Sequence, residues 1–420
     1  MTPPRMPRRG LPQDPTTAAL VRAARSTARG SGLSRRSLLG TALLGGGAAA
    51  LTGCAPPEPP AGGVQALTLP KDLSATEKVV RWANWTAYLD YDEEGKNYPT
   101  LDAFAKKSGL TPTYSEDIED NDLYFNKIAP QLRAGQDIGK DIFTFTDWMA
   151  NRIIRDRLCQ PLELIRMPNC ANLLDSLKEV SFDPGRNNSI TWQSGMTGIG
   201  YNKEKVGREL KSLDDLWADD LKGKIVVLSE FRDTLGLIMQ QQGVDIASAF
   251  GKAEFEAAVA EIDKRIADGH IRRVKGNSYL EDLKSGNAVA GIVWSGDLFI
   301  LRAETEDENW EFVIPESGGT LWSDNLMVPI TSTHRRNAEE LINHYYDPAV
   351  AAEVAAWVNY VCPVKGAQAE MEKIDPELAE SPFIFPSDSY LRENNVQGFR
   401  ALDPQEDSDY SALWAKVVGN

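Results

Sequence analysis

From Val79 to Arg157 short apolar runs alternate with patterns of helical period, and this alternation constrains the fold more than any other feature of the 420-residue chain. Val79 to Trp85 reads as a strand, Pro99 to Ser108 as a helix closed by Gly109, and Thr111 to Tyr114 as a second strand. Leu123 to Arg133 reads as a helix, Asp141 to Phe145 as a third strand, and Asp147 to Arg157 as a further helix. Side chains two apart share a strand face and side chains three or four apart share a helix face, so the period distinguishes the two. The order β-α-β-α-β predicts an α/β sheet with helices on its faces.

A second run of the same kind follows a Gly-punctuated passage, Gly195 to Asn202. It comprises the strand Ile225 to Leu228, a helix through Leu235 and Ile238, the helix Lys252 to Ala267 and the strand Ala288 to Trp294. The strand Leu326 to Ile330, a helix around Ala338 to Tyr346 and the helix Ala349 to Trp357 come next. Beyond Asp375 the tail reads as acidic and loop-rich until a last helix near Ser411 to Val418. The length suits two or three domains with a well-buried core, and no internal repeat is present.

Chemistry concentrates where Ile225-Val226-Val227-Leu228 runs into Ser229-Glu230-Phe231-Arg232-Asp233. Two carboxylates then stand in the first turn of a helix, where the macrodipole and free backbone N–H groups favour negative charge. Such acids are also ordinary helix caps. They gain weight beside two stretches of similar chemistry, Val293-Trp294-Ser295-Gly296-Asp297 and Leu321-Trp322-Ser323-Asp324-Asn325. Of the tryptophans, Trp82, Trp217 and Trp357 fall on strand or helix interiors and are expected in the core. Trp85, Trp294 and Trp322 stand next to polar or acidic residues at strand ends and are expected in a cleft.

The formal net charge of the chain is −16. Residues 1 to 53 carry eight Arg and one acid, so the remainder has 37 basic and 60 acidic side chains, a net of −23. That balance repels nucleic-acid phosphates and anionic headgroups and attracts cations. There is no complete dinucleotide fingerprint, no phosphate-binding loop, no Gly-x-Ser-x-Gly elbow and no His-Glu-x-x-His. His270, His334 and His344 are the only histidines; His334, after a Ser/Thr run and before two Arg, reads as an exposed turn. No Cys-x-x-Cys spacing exists, so neither a structural zinc nor a redox motif is supported, and no cofactor or metal is expected.

The N-terminal segment is a targeting signal. Ser34-Arg35-Arg36-Ser37-Leu38-Leu39-Gly40 opens an apolar, Gly-rich run that looks like a twin-arginine export signal. The run ends in Leu51-Thr52-Gly53-Cys54, which matches a bacterial lipobox, so residues 1 to 53 are expected to be removed and Cys54 lipidated. Two acyl chains make a durable anchor, and residues 54 to 78, rich in Pro and Gly, form a flexible spacer. Cys159, Cys170 and Cys362 remain, enough for at most one disulfide.

From Val79 onward the chain carries a resemblance in an ordered set of short motifs: Asn84-Trp85-Thr86-x-Tyr88, Asp214-x-Leu216-Trp217 before Gly223-Lys224, Val293-Trp294-Ser295-Gly296, Gly318-Gly319-x-x-Trp322-x-Asp324 and Asn359-Tyr360-x-x-Pro363. In that order they resemble the polyamine (spermidine/putrescine) substrate-binding proteins of ABC importers. The resemblance implies a two-lobed periplasmic-binding-protein-like α/β fold of type II, with lobes joined by crossing strands. Lobe one would be 79 to 198 with 320 to 363, and lobe two 199 to 319 with 364 to 420. It further implies a monomeric binding protein, not an enzyme, that delivers a polyamine to an ABC permease and ATPase from the outer face of the cytoplasmic membrane.

The same resemblance assigns the site. Trp85, Tyr88, Trp294, Trp322 and Tyr360 match its aromatic box, Thr146 and Trp148 share a loop where another ring is usual, and Glu230, Asp233 and Asp324 match its ammonium-binding acids. Ser278 is a further polar candidate. Ala87 stands where an acid is frequent, and no Gln aligns with the polar partner offered near the C-terminus, Gln397 and Gln405 being only nearby. The resemblance makes Arg232 an orienting partner for the acids. Alternatively its guanidinium suits a ligand carboxylate, so an amino acid or opine-like amine is the second expectation. A third, Glu230 and Asp233 as a general acid and base, lacks supporting motifs.

Overall fold

The computed structural model describes residues 69 to 248 and 250 to 419. The export signal, Cys54 and the spacer as far as residue 68 lie outside the described residues. No helix of the described residues is long and apolar enough to cross a membrane.

The first α/β run folds as its periodicity dictates. β1 (Val79–Trp85), α1 (Pro99–Ser108), β2 (Thr111–Ile118), α2 (Asn121–Arg133), β3 (Ile142–Thr146) and α3 (Asp147–Arg155) follow one another. β1 lies between β2 and β3, parallel to both. α1 starts with Pro99 in its first turn, where a missing N–H costs nothing, and stops at Gly109, whose φ of 71° completes a left-handed cap. β4 (Ile190–Asn202), β5 (Ile225–Leu228), α4 (Phe231–Gln241), α5 (Lys252–Ala267), β6 (Ile271–Lys275), β7 (Ala290–Trp294), α6 (Ser295–Thr305), β8 (Trp310–Val313) and β9 (Gly319–Pro329) continue the chain. α7 (Arg335–Tyr345), α8 (Pro348–Val358), β10 (Val396–Gly398) and α9 (Pro404–Val418) complete the main elements.

These ten strands and the two-residue strand Cys159–Gln160 form one 11-stranded sheet with the order β2-β1-β3-β9-β4-β7-β5-β6, in which β8 pairs with β4 and both β10 and Cys159–Gln160 pair with β9. Two groups of parallel strands, β2-β1-β3 and β7-β5-β6, are thereby joined through the antiparallel pair β9 and β4. Thr197 is the handover point: it pairs with Thr320 of β9 on one side and Trp294 of β7 on the other. One continuous apolar core runs under both groups. Under β1, Trp82 meets Trp192 and Tyr345 edge to face or tilted at 4.9 and 5.5 Å, and beside α5 Phe255 stacks on Tyr410 at 4.0 Å. Trp82 and Trp217 are buried in the core, and Trp357 is half-buried on α8.

The Gly-punctuated passage is the second half of β4, buried along its whole length. A Cβ on Gly195 would sit 2.3 Å from Trp322 Cζ2 and 2.8 Å from Tyr360 Cδ1, so the bare backbone is what lets two rings lie on the strand. β9 begins at Gly319 rather than at Leu326, and the tail beyond Asp375 holds the helices 376–379 and 388–393 and the strand β10 before α9.

His334 is not exposed. The residue is 96% buried; Nδ1 lies 3.0 Å from Asp141 Oδ1 and Nε2 2.9 Å from Glu77 Oε2. Asp141 also accepts from Arg81 Nε at 2.9 Å and from Ser332 Oγ at 2.7 Å. Burial disfavours the imidazolium, but the bonds to Glu77 and Asp141 outweigh it and hold the pKa above the ordinary 6.5. The stabilisation is therefore complete below that ordinary value and is lost as the pH rises through the elevated folded value. An NMR titration of the His334 ring should show the raised midpoint, and urea midpoints should fall as the pH rises above the ordinary value through the elevated one, by an amount that His334→Gln abolishes. Cys159, Cys170 and Cys362 are all free and buried, and burial pushes each thiol up to about 12.

Candidate ligand-binding cleft

Three strand ends converge on one cavity, each followed at once by a helix: β3 into α3 at Thr146 and Asp147, β5 into α4 at Glu230 to Asp233, and β7 into α6 at Trp294 to Asp297. Carboxyl ends of parallel strands are the place where α/β sheets bind ligands, because helix N-termini and loop side chains meet there. β9 crosses beside them and contributes Thr320, Leu321, Trp322 and Asp324. The cavity has a volume of about 120 Å³, and all ten residues assigned from the sequence line it.

Its apolar wall is a chain of rings meeting edge to face. Trp85 lies 6.0 Å from Trp294, Trp294 6.2 Å from Trp322, Trp322 5.3 Å from Tyr360, and Tyr360 5.4 Å from Tyr88. Edge-to-face contact fixes each ring by its neighbour's quadrupole. A set held this way presents faces to a guest without rearranging. Trp148 closes another side, with the Arg232 guanidinium 4.0 Å from its ring centroid.

The acids are held by donors rather than left loose. Asp233 accepts from Thr197 Oγ1 at 2.7 Å, Thr320 Oγ1 at 3.1 Å and Trp294 Nε1 at 3.1 Å. Asp324 accepts from Thr146 Oγ1 at 2.7 Å and from the Tyr88 hydroxyl at 2.9 Å. Glu230 Oε1 accepts from the Asn121 backbone N–H at 3.0 Å and from Asn121 Nδ2 at 2.8 Å. Burial pushes Asp324 up to about 7 in spite of its two bonds, and it also raises Asp233. Glu230 stands well above the ordinary carboxylate range, through burial first and the charge of Asp120 second. Burial thus disfavours the ionised form of each acid, and a cation seated beside them would favour it again.

Sequence reasoning missed two further acids on the wall. Asp297, in the first turn of α6, accepts from Tyr360 at 2.7 Å and Tyr279 at 2.8 Å; burial pushes it up to about 6. Asp147 accepts from Asn325 Nδ2 at 2.7 Å and is likewise pushed up to about 6 by burial. Both obey the strand-end, first-turn grammar of Glu230 and Asp233, so the signal was available. Asn277, not Ser278, lines the cavity; Ser278 Oγ is engaged with Glu119 instead.

Arg232 does not hydrogen-bond the neighbouring acids: its Nη2 donates to Asp407 Oδ1 on α9 at 2.8 Å, and Asp407 also takes Arg152 Nη2 at 2.9 Å. Ala87 adopts a φ of 53° and donates its N–H to Glu116 Oε1 at 3.0 Å. Gln397 is occupied by the Ile246 N–H. Among the described residues no group of His, Cys, Asp or Glu is placed to hold a metal ion.

Residues 100–384 match the family model described as bacterial extracellular solute-binding protein. The spermidine/putrescine-binding periplasmic protein of Escherichia coli strain K12 is 24% identical over 338 residues, which cover 80% of this chain and 91% of that one. A putative spermidine/putrescine ABC transporter structure from Listeria monocytogenes superposes with a TM-score of 0.69 at 24% identity, over 81% of this chain and 99% of that chain. The Tp0655 lipoprotein of Treponema pallidum gives 0.66 at 19% identity, over 81% and 100%. These structures share the two-lobed α/β architecture of periplasmic solute-binding proteins.

Proposed function

This chain belongs to the bacterial extracellular solute-binding proteins, and from that membership and the chemistry of the cleft we propose that it binds a polyamine of the spermidine/putrescine class and delivers it to an ABC permease. The observation that carries the reading is the cavity itself, where a box of aromatic rings is interleaved with five carboxylates, Asp147, Glu230, Asp233, Asp297 and Asp324. A flexible di- or tri-cation with methylene spacers complements both features. Each charge-assisted hydrogen bond contributes roughly 1.5–3 kcal/mol, each cation–π contact about 0.5–2 kcal/mol, and each buried methylene about 0.8 kcal/mol. Two acids, two rings and four methylenes supply more than the ~8 kcal/mol of a micromolar complex, leaving a surplus against the entropy of association.

In this reading the protein performs no chemistry. Lobe one is 79 to 198 with 320 to 363, lobe two is 199 to 319 with 364 to 420, and the ligand closes them by contacting both. Trp85, Tyr88, Thr146, Trp148, Asp324 and Tyr360 then act from one lobe, and Glu230, Asp233 and Trp294 from the other. Trp322 stands at the crossing. The protein is a monomer, exported by the twin-arginine signal of residues 1 to 53 and tethered through lipidated Cys54 outside the cytoplasmic membrane. Isothermal titration of the soluble form with putrescine, spermidine, spermine and a zwitterionic control tests the proposal. Micromolar or tighter binding of a polyamine sustains it, and heat only from the zwitterion overturns it.

One observation keeps a second ligand class in view. Arg232 Nη1 is buried without a protein partner although Nη2 is held by Asp407, and an unpartnered guanidinium nitrogen suits a carboxylate, as in an amino acid or opine-like amine. The two readings part on Arg232→Ala. For a polyamine the change should move the affinity by less than about tenfold, whereas for a carboxylate ligand the loss of a charge-assisted bond costs at least that. The same titration reads both.

A further inference from the structure

Three consecutive residues, Glu119, Asp120 and Asn121, run from the end of β2 into α2 and touch the β5 side of the cleft at two separate segments. At the first, Ser229 Oγ donates to Asp120 Oδ2 at 2.5 Å while Glu230 Oε1 receives the Asn121 backbone N–H and Nδ2. At the second, the Asn277 N–H donates to Glu119 O at 3.2 Å and Ser278 Oγ bonds the Glu119 carboxylate. Gly276 is what allows the approach, since a Cβ there would lie 2.2 Å from Glu119 O. None of these partners is closer than 109 residues in the chain.

Asn121 does more than hold Glu230. Its Nδ2 also donates to Thr146 Oγ1 at 2.9 Å, and that hydroxyl donates to Asp324 Oδ1 at 2.7 Å. One amide therefore connects an acid of the α4 turn with an acid of β9, across the cavity. Asp120 is meanwhile the cap of α2, accepting from the Leu123 N–H at 3.0 Å.

We propose that Glu119, Asp120 and Asn121 form a clasp that closes the cleft, and that it brings Asp120 and Glu230 together as a buried acid pair which stays shut only when a ligand ammonium or a proton supplies positive charge. Asn121 is the positioning residue, setting Glu230 and, through Thr146, Asp324. The idea rests on the two-lobed, cation-binding reading above and explains why closing would await the ligand. Two ionised carboxylates out of water repel strongly, so one must be neutralised. The charged groups facing Glu230 are Asp120, Asp122 and Asp233, all of the same sign, with Arg232 as the opposing cation. Asp122 is answered by Arg152 at 2.8 Å and Arg232 by Asp407 at 2.8 Å, so their charges are largely spoken for. Burial raises Asp120 as well as Glu230.

Small-angle scattering of the ligand-free protein at about pH 8 and about pH 5 tests the clasp without any ligand. The wild type should be the more open at the higher pH and contract on acidification. Asp120→Asn keeps the cap and the bond to Ser229 but removes one charge, so it should be contracted already at the higher pH with a flatter profile. Gly276→Ala blocks the approach of Glu119 without altering charge, and should stay extended at both pH values. Asp120→Asn with the wild-type profile, or Gly276→Ala contracting like the wild type, overturns the clasp. Because no ligand is present, failure of polyamine binding would overturn the proposed ligand and leave this result standing.

Discussion

Asp324→Asn should weaken polyamine binding by roughly 10- to 150-fold, the worth of one charge-assisted hydrogen bond to an ammonium, while leaving the empty protein as stable as before or more so. The second half of that statement follows from burial. Burial pushes Asp324 up to about 7, against an ordinary value of 3.8, so the folded state holds its proton where the unfolded chain has lost it. Between those two values stability falls as the pH rises, because ionising the carboxyl is harder folded than unfolded. Asn resembles the protonated form: its Oδ1 can accept from one of the two hydroxyls of Thr146 and Tyr88, and its Nδ2 can donate to the oxygen of the other.

Ligand binding runs the other way: an ammonium needs the ionised acid, so wild-type affinity should drop as the pH falls below about 7, with a limiting slope of about tenfold per pH unit for this group. In Asp324→Asn that part of the pH dependence disappears. Titration at several pH values with parallel thermal melts checks both signs. A variant that binds as tightly as the wild type, or that melts much earlier at neutral pH, would remove Asp324 from the ammonium site.

The parts of the fold that were legible in the sequence are those whose signal is local. α1 is bracketed by Pro99 and Gly109, β5 is four apolar residues in a row, and α5 sets Phe255, Ala258, Val259 and Ile262 on one face; all three fall where periodicity places them. β4 was opaque because its glycines answer to side chains far along the chain. Gly195 makes room for Trp322 and Tyr360, and Gly-x-x-Gly-x-Gly by itself carries no strand period. The burial of His334 is hidden for the same reason, since its partners Asp141 and Glu77 stand 193 and 257 positions away. The aromatic and acidic wall was readable through motif order. Asp297 was passed over because an acid in a first turn also looks like a cap, and only the distance to two tyrosine hydroxyls separates the two roles. Glu119 to Asn121 carried no signal at all: in an acidic stretch from Glu116 to Asp122 they look like solvated charge, and their partners are on another strand group.

Trp294→Ala should cost the ligand about two orders of magnitude, summing a lost cation–π face and the apolar wall behind the methylene chain. Trp294 is the hinge of the ring chain, 6.0 Å from Trp85, 6.2 Å from Trp322 and 5.9 Å from Tyr279, and its Nε1 is one of three donors to Asp233. Truncation therefore does two things. It opens space beside Trp85 and Trp322, and it leaves Asp233 Oδ2 without its indole donor, which raises that carboxyl further and makes ionisation beside the ligand costlier. Trp294→Phe separates the terms, keeping a ring in the box while removing the N–H. If the face dominates, Phe should recover most of the affinity; if the donor to Asp233 dominates, Phe should bind nearly as poorly as Ala. A cavity left by a buried tryptophan also destabilises by about 3–5 kcal/mol in a closed core, but this ring borders an open cleft that water can fill, so the loss of stability should fall below that range. Calorimetric titration of both variants, with urea midpoints on the same samples, distinguishes a binding residue from a core residue: affinity falling far more than stability places Trp294 in the binding wall, and the reverse places it in the core.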